Sequence, residues 1–230
     1  MSHLGGPSKK MGANREPCAK FRSLSRAMQN QRDNEPYRSF EELSACHVAG
    51  RDYVIETRRG EHRLLVAAWH GGTMERGSDI LANAVAGTTF DYYAFKAKIP
   101  QDESGSHPLH ITSGRFNEPK LLHLAAESER VLSVHCCNTP GRIERIFIGG
   151  GAEAELREAL IRHLRSYNFN SGPDKLFPGH HHRNPCNLGK SFGIQIEVPQ
   201  EYMDKIIGSQ GQFRELVAAL RGFMLELVST

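Results

Sequence analysis

The sequence predicts an α/β protein with a mostly parallel or mixed sheet and helices on both of its faces. Three observations carry that expectation. Apolar runs of strand length stand at residues 64–69 and 131–134, as buried parallel strands require. Segments of helical period lie between such runs, with apolar stripes such as Ile80, Leu81, Ala84 and Val85. Glycine turns separate the two kinds of segment, among them Gly71-Gly72 and Gly149-Gly150-Gly151. Strands alternating with helices build a sheet covered on two sides.

Residues 1–34 carry seven Lys or Arg against Glu16 and Asp33 and are rich in Gly, Ser, Asn and Gln. Such a segment has little to bury and predicts a basic extension, disordered or loosely helical. A single catalytic domain is expected over residues 35–230, with no repeat at solenoid periods. Ser39 and Glu42 form a capping box, which predicts a short helix over 39–48. Residues 53–57 alternate as a strand, and Arg59-Gly60 turns the chain into the strand that ends at His70. A helix over 76–86 stops at Gly87. Residues 91–96 form the next strand, 99–107 a loop, and 109–113 a candidate edge strand. Pro119 suits the first position of a helix reaching about residue 130. Strands over 131–135 and 142–148 precede an amphipathic helix over 152–167. Residues 168–192 are irregular. A strand over 193–198 is ended by Pro199, and a helix over 212–228 closes the chain.

The net charge of +3 is unevenly placed: the first 34 residues contribute +5, leaving −2 for the rest. A near-neutral core is not a nucleic-acid surface, and no apolar stretch is long enough to span a membrane. No signal-peptide centre is visible, which points to the cytoplasm. Five cysteines without a CxxC pair favour a reducing compartment over a disulfide scaffold.

The chemistry gathers at strand ends. His70 closes one apolar run, and Glu75 follows it just before a helix. His135 closes another. In an open α/β sheet, that carboxyl edge is where ligands bind. Two histidines and a glutamate form a ligand set for a catalytic zinc that keeps one open position. The plainer alternative makes His70 a polar strand end and Glu75 a complement to the helix dipole. In the strand over 193–198, Ile194, Ile196 and Val198 share one face, and Gln195 and Glu197 the other. A carboxylate there is costly to bury without a task, so Glu197 is a candidate general base; the alternative is a salt-bridged or exposed side chain. Cys136 and Cys137 leave a cysteine nucleophile to consider.

The segments His70-Gly71-Gly72-x-x-Glu75, Leu109-His-Ile-Thr-Ser113, Val134-His135-x-Cys137, Asn184-x-x-Asn187 and Gly193-Ile-Gln-Ile-Glu197 resemble the phage-type poly-γ-glutamate hydrolases. The likeness runs in order over roughly residues 37–200. It implies a zinc-carboxypeptidase-like fold that hydrolyses γ-glutamyl amide bonds of a polymer or peptide. It also implies one zinc per chain on His70, Glu75 and His135, with Glu197 as the base. Two departures stand out: Cys136 where the family often has Gly, and Leu188 where a basic residue is expected. His110 lies in a matching segment, and Asn184, Asn187 and Lys190 precede the Glu197 strand. With Arg183, and Arg115 beside them, they are candidates to hold a polyanionic substrate. A catalytically silent binding module on the same fold is the competing expectation.

Overall fold

The computed structural model describes residues 35–101 and 107–228. The expected extension over residues 1–34 lies outside them. In chain order the elements are α1 (Phe40–Cys46), β1 (Tyr53–Arg58), β2 (His62–Gly72), α2 (Ser78–Ala86), β3 (Phe90–Ala97), α3 (Pro119–Glu127), β4 (Arg130–Cys137), β5 (Ile146–Gly149), α4 (Ala154–Ser166), β6 (Ser171–Pro173), β7 (Ile194–Pro199), α5 (Gln200–Gly208) and α6 (Gln210–Glu226). Two short 3₁₀ turns, Ser113–Arg115 and Pro185–Asn187, lie in the longer loops.

The strands form one sheet in the order β1-β3-β2-β4-β7-β5-β6. The pairs β3/β2, β2/β4, β4/β7 and β5/β6 are parallel, and β1/β3 and β7/β5 are antiparallel. The sheet is thus mixed with a parallel centre, as the sequence predicts. Pleating divides the side chains between two cores. Leu64, Val66 and Ala68 of β2 face α2, α4, α5 and α6. Leu65, Ala67 and Trp69 face the other way, against Leu43 of α1, Leu121 and Leu124 of α3 and the aromatic group Tyr93, Phe95 and Phe116. All six residues from Leu64 to Trp69 are buried, which explains why the run is apolar without alternation. Burying one such large side chain contributes roughly 1.5–3 kcal/mol.

Local chemistry sets the element ends. Ser39 caps α1 by accepting from the Glu42 amide, while Glu42 accepts from the amide of Arg38 rather than that of Ser39. Pro119 opens α3, and the Glu118 carboxylate accepts from the Leu121 amide as its cap. Four expectations differ. Residues 109–113 form no strand; the chain there turns on His107, whose carbonyl and ring accept from the amides of His110 and Leu109. Residues 142–145 run into β5 as irregular chain rather than joining it. The short strand β6 adds itself beside β5 within a stretch too polar to show a strand pattern. Residues 200–208, to which the sequence assigns no element, form α5 ahead of the expected closing helix α6, and Ser209 ends the first and caps the second by accepting from the Gln212 amide.

Candidate active site

The site lies where β2, β4 and β7 end. His135 and Glu197 are partners in the parallel β4/β7 ladder, so their side chains leave the same face of the sheet. Strict alternation would send His70 to the opposite face from Trp69. A shift in the β2/β3 register between Ala68 and Gly71 removes that constraint, as bulges near sites do. The His70 ring therefore lies 5.0 Å from that of His135 and 4.4 Å from that of His110, centroid to centroid.

Glu75 reaches the same point from the turn after β2. Its amide donates to the His70 carbonyl over 2.8 Å, so the chain folds straight back. Gly72 permits this: it sits at φ +72, and a Cβ there would meet the Ala97 carbonyl oxygen at 2.1 Å. Glu75 Oε1 lies 2.8 Å from His70 Nδ1, and Oε2 lies 3.2 Å from His135 Nδ1. Oε2 also accepts from the Cys136 amide. Burial alone would raise this carboxyl, but His70 and His135 hold it below the ordinary value.

The donors suit a metal ion. His70 Nε2 lies 2.9 Å from the Ile111 carbonyl, which can only accept, so that nitrogen carries the proton. In a neutral ring, Nδ1 then presents a lone pair to a carboxylate, an arrangement that a cation between them relieves. His135 Nε2 is buried with no hydrogen-bond partner. Among the described residues, His70, Glu75 and His110 form a possible metal-binding group whose donor atoms lie within 4.8 Å of one another. His110 is thus part of the cluster, and its Nδ1 lies 2.9 Å from Oε1 of Glu35, a residue the sequence did not single out. Burial opposes ionisation of Glu35, yet hydrogen bonds from His110 and Thr112 bring its carboxyl down to about 2.

Glu197 is buried, and Gln195 Nε2 donates to its Oε1 over 3.1 Å. Burial, with Glu75 and Asp174 adding like charge, pushes its carboxyl well above the ordinary range, while Arg142 acts in the other direction. The cysteines are poor nucleophiles. Burial and then nearby carboxylates push Cys136 well up, and burial followed by Glu197 pushes Cys137 to about 11.

The expected substrate contacts divide. Asn184 is buried and donates to Gln195 Oε1, so it steadies the amide that in turn holds Glu197. Asn187 is committed to the surrounding chain: its Oδ1 accepts from Gly151 N–H and the Cys186 thiol, and its Nδ2 donates to the carbonyls of Gly179 and His181. Arg183 is exposed on the same loop. Lys190 is not brought here: its amide donates to Ser128 and its ammonium pairs with Glu129, at the amino end of β4. His135 stands at the other end of that strand, about 20 Å away at strand rise. In its place the turn after β4 supplies Arg142, whose side chain is only 8% exposed and ion-paired with Asp174 at 2.9 Å. A charged residue in a Pro-Gly turn reads as solvated, so only the fold reveals Arg142.

A sequence model described as poly-gamma-glutamate hydrolase matches residues 37–214. Two curated proteins of Bacillus subtilis (strain 168) are similar. The SPbeta prophage-derived protein YoqZ is 27% identical over 209 residues, 84% of this chain and 73% of that one. YndL is 28% identical over 176 residues, 75% and 67% of the two chains. Among solved structures, a bacteriophage poly-gamma-glutamate hydrolase superposes with a TM-score of 0.74 at 22% identity, over 85% of this chain and 99% of the other. A zinc-free apo structure of YndL gives 0.71 at 26% identity, over 83% and 97%.

Proposed function

The chain belongs to the poly-gamma-glutamate hydrolase family, and from that premise we propose that it is a zinc-dependent amidohydrolase cleaving γ-glutamyl amide bonds. The observation that carries the reading is the meeting of His70 and His135 on the two oxygens of Glu75, with Glu197 one strand away. His70, Glu75 and His135 are the proposed zinc ligands, one ion per chain, with His110 beside them. The relative YndL, described in a zinc-free form, agrees with that choice of metal. The catalytic domain is assigned to residues 35–230.

When bound, zinc supplies Lewis acidity, which makes water nucleophilic near neutral pH and polarises the scissile carbonyl. Glu197 is the proposed proton carrier: it takes a proton from the attacking water and delivers it to the leaving amide nitrogen. Its raised affinity for a proton suits both halves of that task. Gln195 fixes one carboxylate oxygen and leaves the other for the transfer. Trp69, fully buried, packs edge-on against His135 at 4.8 Å and supports that ring from below the sheet edge.

The test is metal analysis of the purified protein together with hydrolysis of a γ-linked glutamate polymer. One equivalent of zinc and chelator-sensitive cleavage are expected, with zinc lost in His70→Ala and His135→Ala. Full occupancy in both variants would remove the ligand assignment. Zinc without turnover would point to a binding module instead.

A further inference from the structure

Arg142 is a buried cation with capacity to spare. Its guanidinium carbon lies 3.6 Å from the Phe147 ring centre and 5.3 Å from that of Phe177, so the group packs against both rings. One side of it faces Asp174, and Nη1 is buried with no hydrogen-bond partner. Asp174 is committed elsewhere as well, accepting from the amides of Leu176 and Phe177 through Oδ1. A guanidinium carries five donors in a fixed fork suited to a carboxylate, and leaving a buried donor open is unfavourable.

Its position is equally specific. Phe147 is the ladder partner of Glu197 across the β5/β7 pair, so the ring under Arg142 shares the face of the proposed base. Arg142 also lines a cavity of about 320 Å³ that begins where the β4/β7 ladder ends, bounded by Cys137, Asn138, Thr139, Pro199 and Gln200. The cavity therefore lies at the same carboxyl edge of β4 and β7 that carries His135 and Glu197.

We propose that Arg142 holds the free α-carboxylate of the glutamate unit on the leaving side of the scissile bond. The inference rests on the hydrolytic reading above and names how that site would recognise its substrate. In a γ-linked chain every unit keeps its α-carboxylate, attached to the carbon that bears the scissile nitrogen. In an α-linked chain that carbonyl is spent in the next amide, except at the last residue. An arginine that grips this carboxylate therefore accepts a γ-linked chain at any internal bond and accepts an α-linked chain only at its end. The anchor selects linkage without requiring a terminus.

The test compares two oligomers on the zinc-loaded protein: one γ-linked through glutamate, and one carrying isoglutamine, the α-carboxamide, on the leaving side of one bond. The parent is expected to favour the carboxylate substrate in kcat/KM by a factor on the order of 10². Arg142→Gln should abolish the preference, and Arg142→Lys, which keeps charge without the fork, should retain part of it. Because Arg142→Gln strands Asp174, the double variant Arg142→Gln/Asp174→Asn serves where the single one fails to fold. Equal rates on both oligomers by the parent, or a preference that survives in both glutamine variants, would overturn the assignment. Calorimetric binding of the same oligomers to zinc-free protein separates the two readings. If the parent cleaves neither oligomer, the hydrolytic reading fails, while tighter binding of the carboxylate form that depends on Arg142 still supports the anchor. Indifferent binding ends it.

Discussion

At the scale of single residues, Glu197 is the sharpest point of the hydrolytic reading. Glu197→Gln keeps shape and hydrogen-bonding reach while removing basicity. It should fold, retain zinc and lose turnover by a factor on the order of 10² to 10⁴; turnover at the parent rate would exclude Glu197 as the base. The same substitution has a second signature. A carboxyl whose proton affinity is raised by folding contributes stability below its ordinary value of 4.5, and that contribution is lost as pH rises through the higher folded value. The metal-free parent should therefore lose thermal stability as pH rises above 4.5, and Glu197→Gln should lose less, as pH-scanned calorimetry would show. The strand-end positions of His70 and His135 were legible in the sequence, as was the pleat parity that sets Glu197 apart from Ile194, Ile196 and Val198; the turn that brings Glu75 to both histidines was not. Arg142 and Glu35 were not: a lone charge in a turn carries no periodic signal, and what sets each apart is a contact distant in sequence.

At the scale of elements, the end of β2 does what no single side chain can. The register shift between Ala68 and Gly71 turns His70 toward His135, and Gly72 folds Glu75 back under both. Gly72→Ala would place a methyl at 2.1 Å from the Ala97 oxygen in a left-handed conformation, so a loss on the order of 2 kcal/mol or more is expected, together with weaker zinc binding. Denaturant unfolding and metal titration of the variant would check both; parent values in each would mean the turn can re-form elsewhere. The sequence announced this element, since an apolar run into Gly-Gly is a strong strand-and-turn signal. It could not announce the register shift, which depends on how β2 meets β3. Residues 109–113 failed as a strand for a related reason: an apolar-polar pattern gives a period but not a partner strand.

At the scale of the whole molecule, the core's excess of acidic over basic charge sits oddly with a polyanionic substrate. The proposed Arg142 anchor would answer it with a local guanidinium rather than a basic surface, and would call on no charge from residues 1–34. A chain beginning at Glu35 should keep the thermal midpoint and activity of the full protein; a large drop in either would show that the first 34 residues matter to the domain. The boundary is sharp, however, because Glu35 bonds to His110, and the His110 ring packs at a tilt against that of His70. Loss of a residue that orients a group at a metal site commonly costs on the order of 10- to 100-fold in metal affinity or activity. A chain beginning at Pro36 should therefore fold and yet bind zinc or turn over less well. Proteolytic trimming thus has a hidden threshold. Two clipped forms that differ by one residue would run together on a gel, and only intact-mass measurement would show that a preparation of intermediate activity is a mixture of two enzymes.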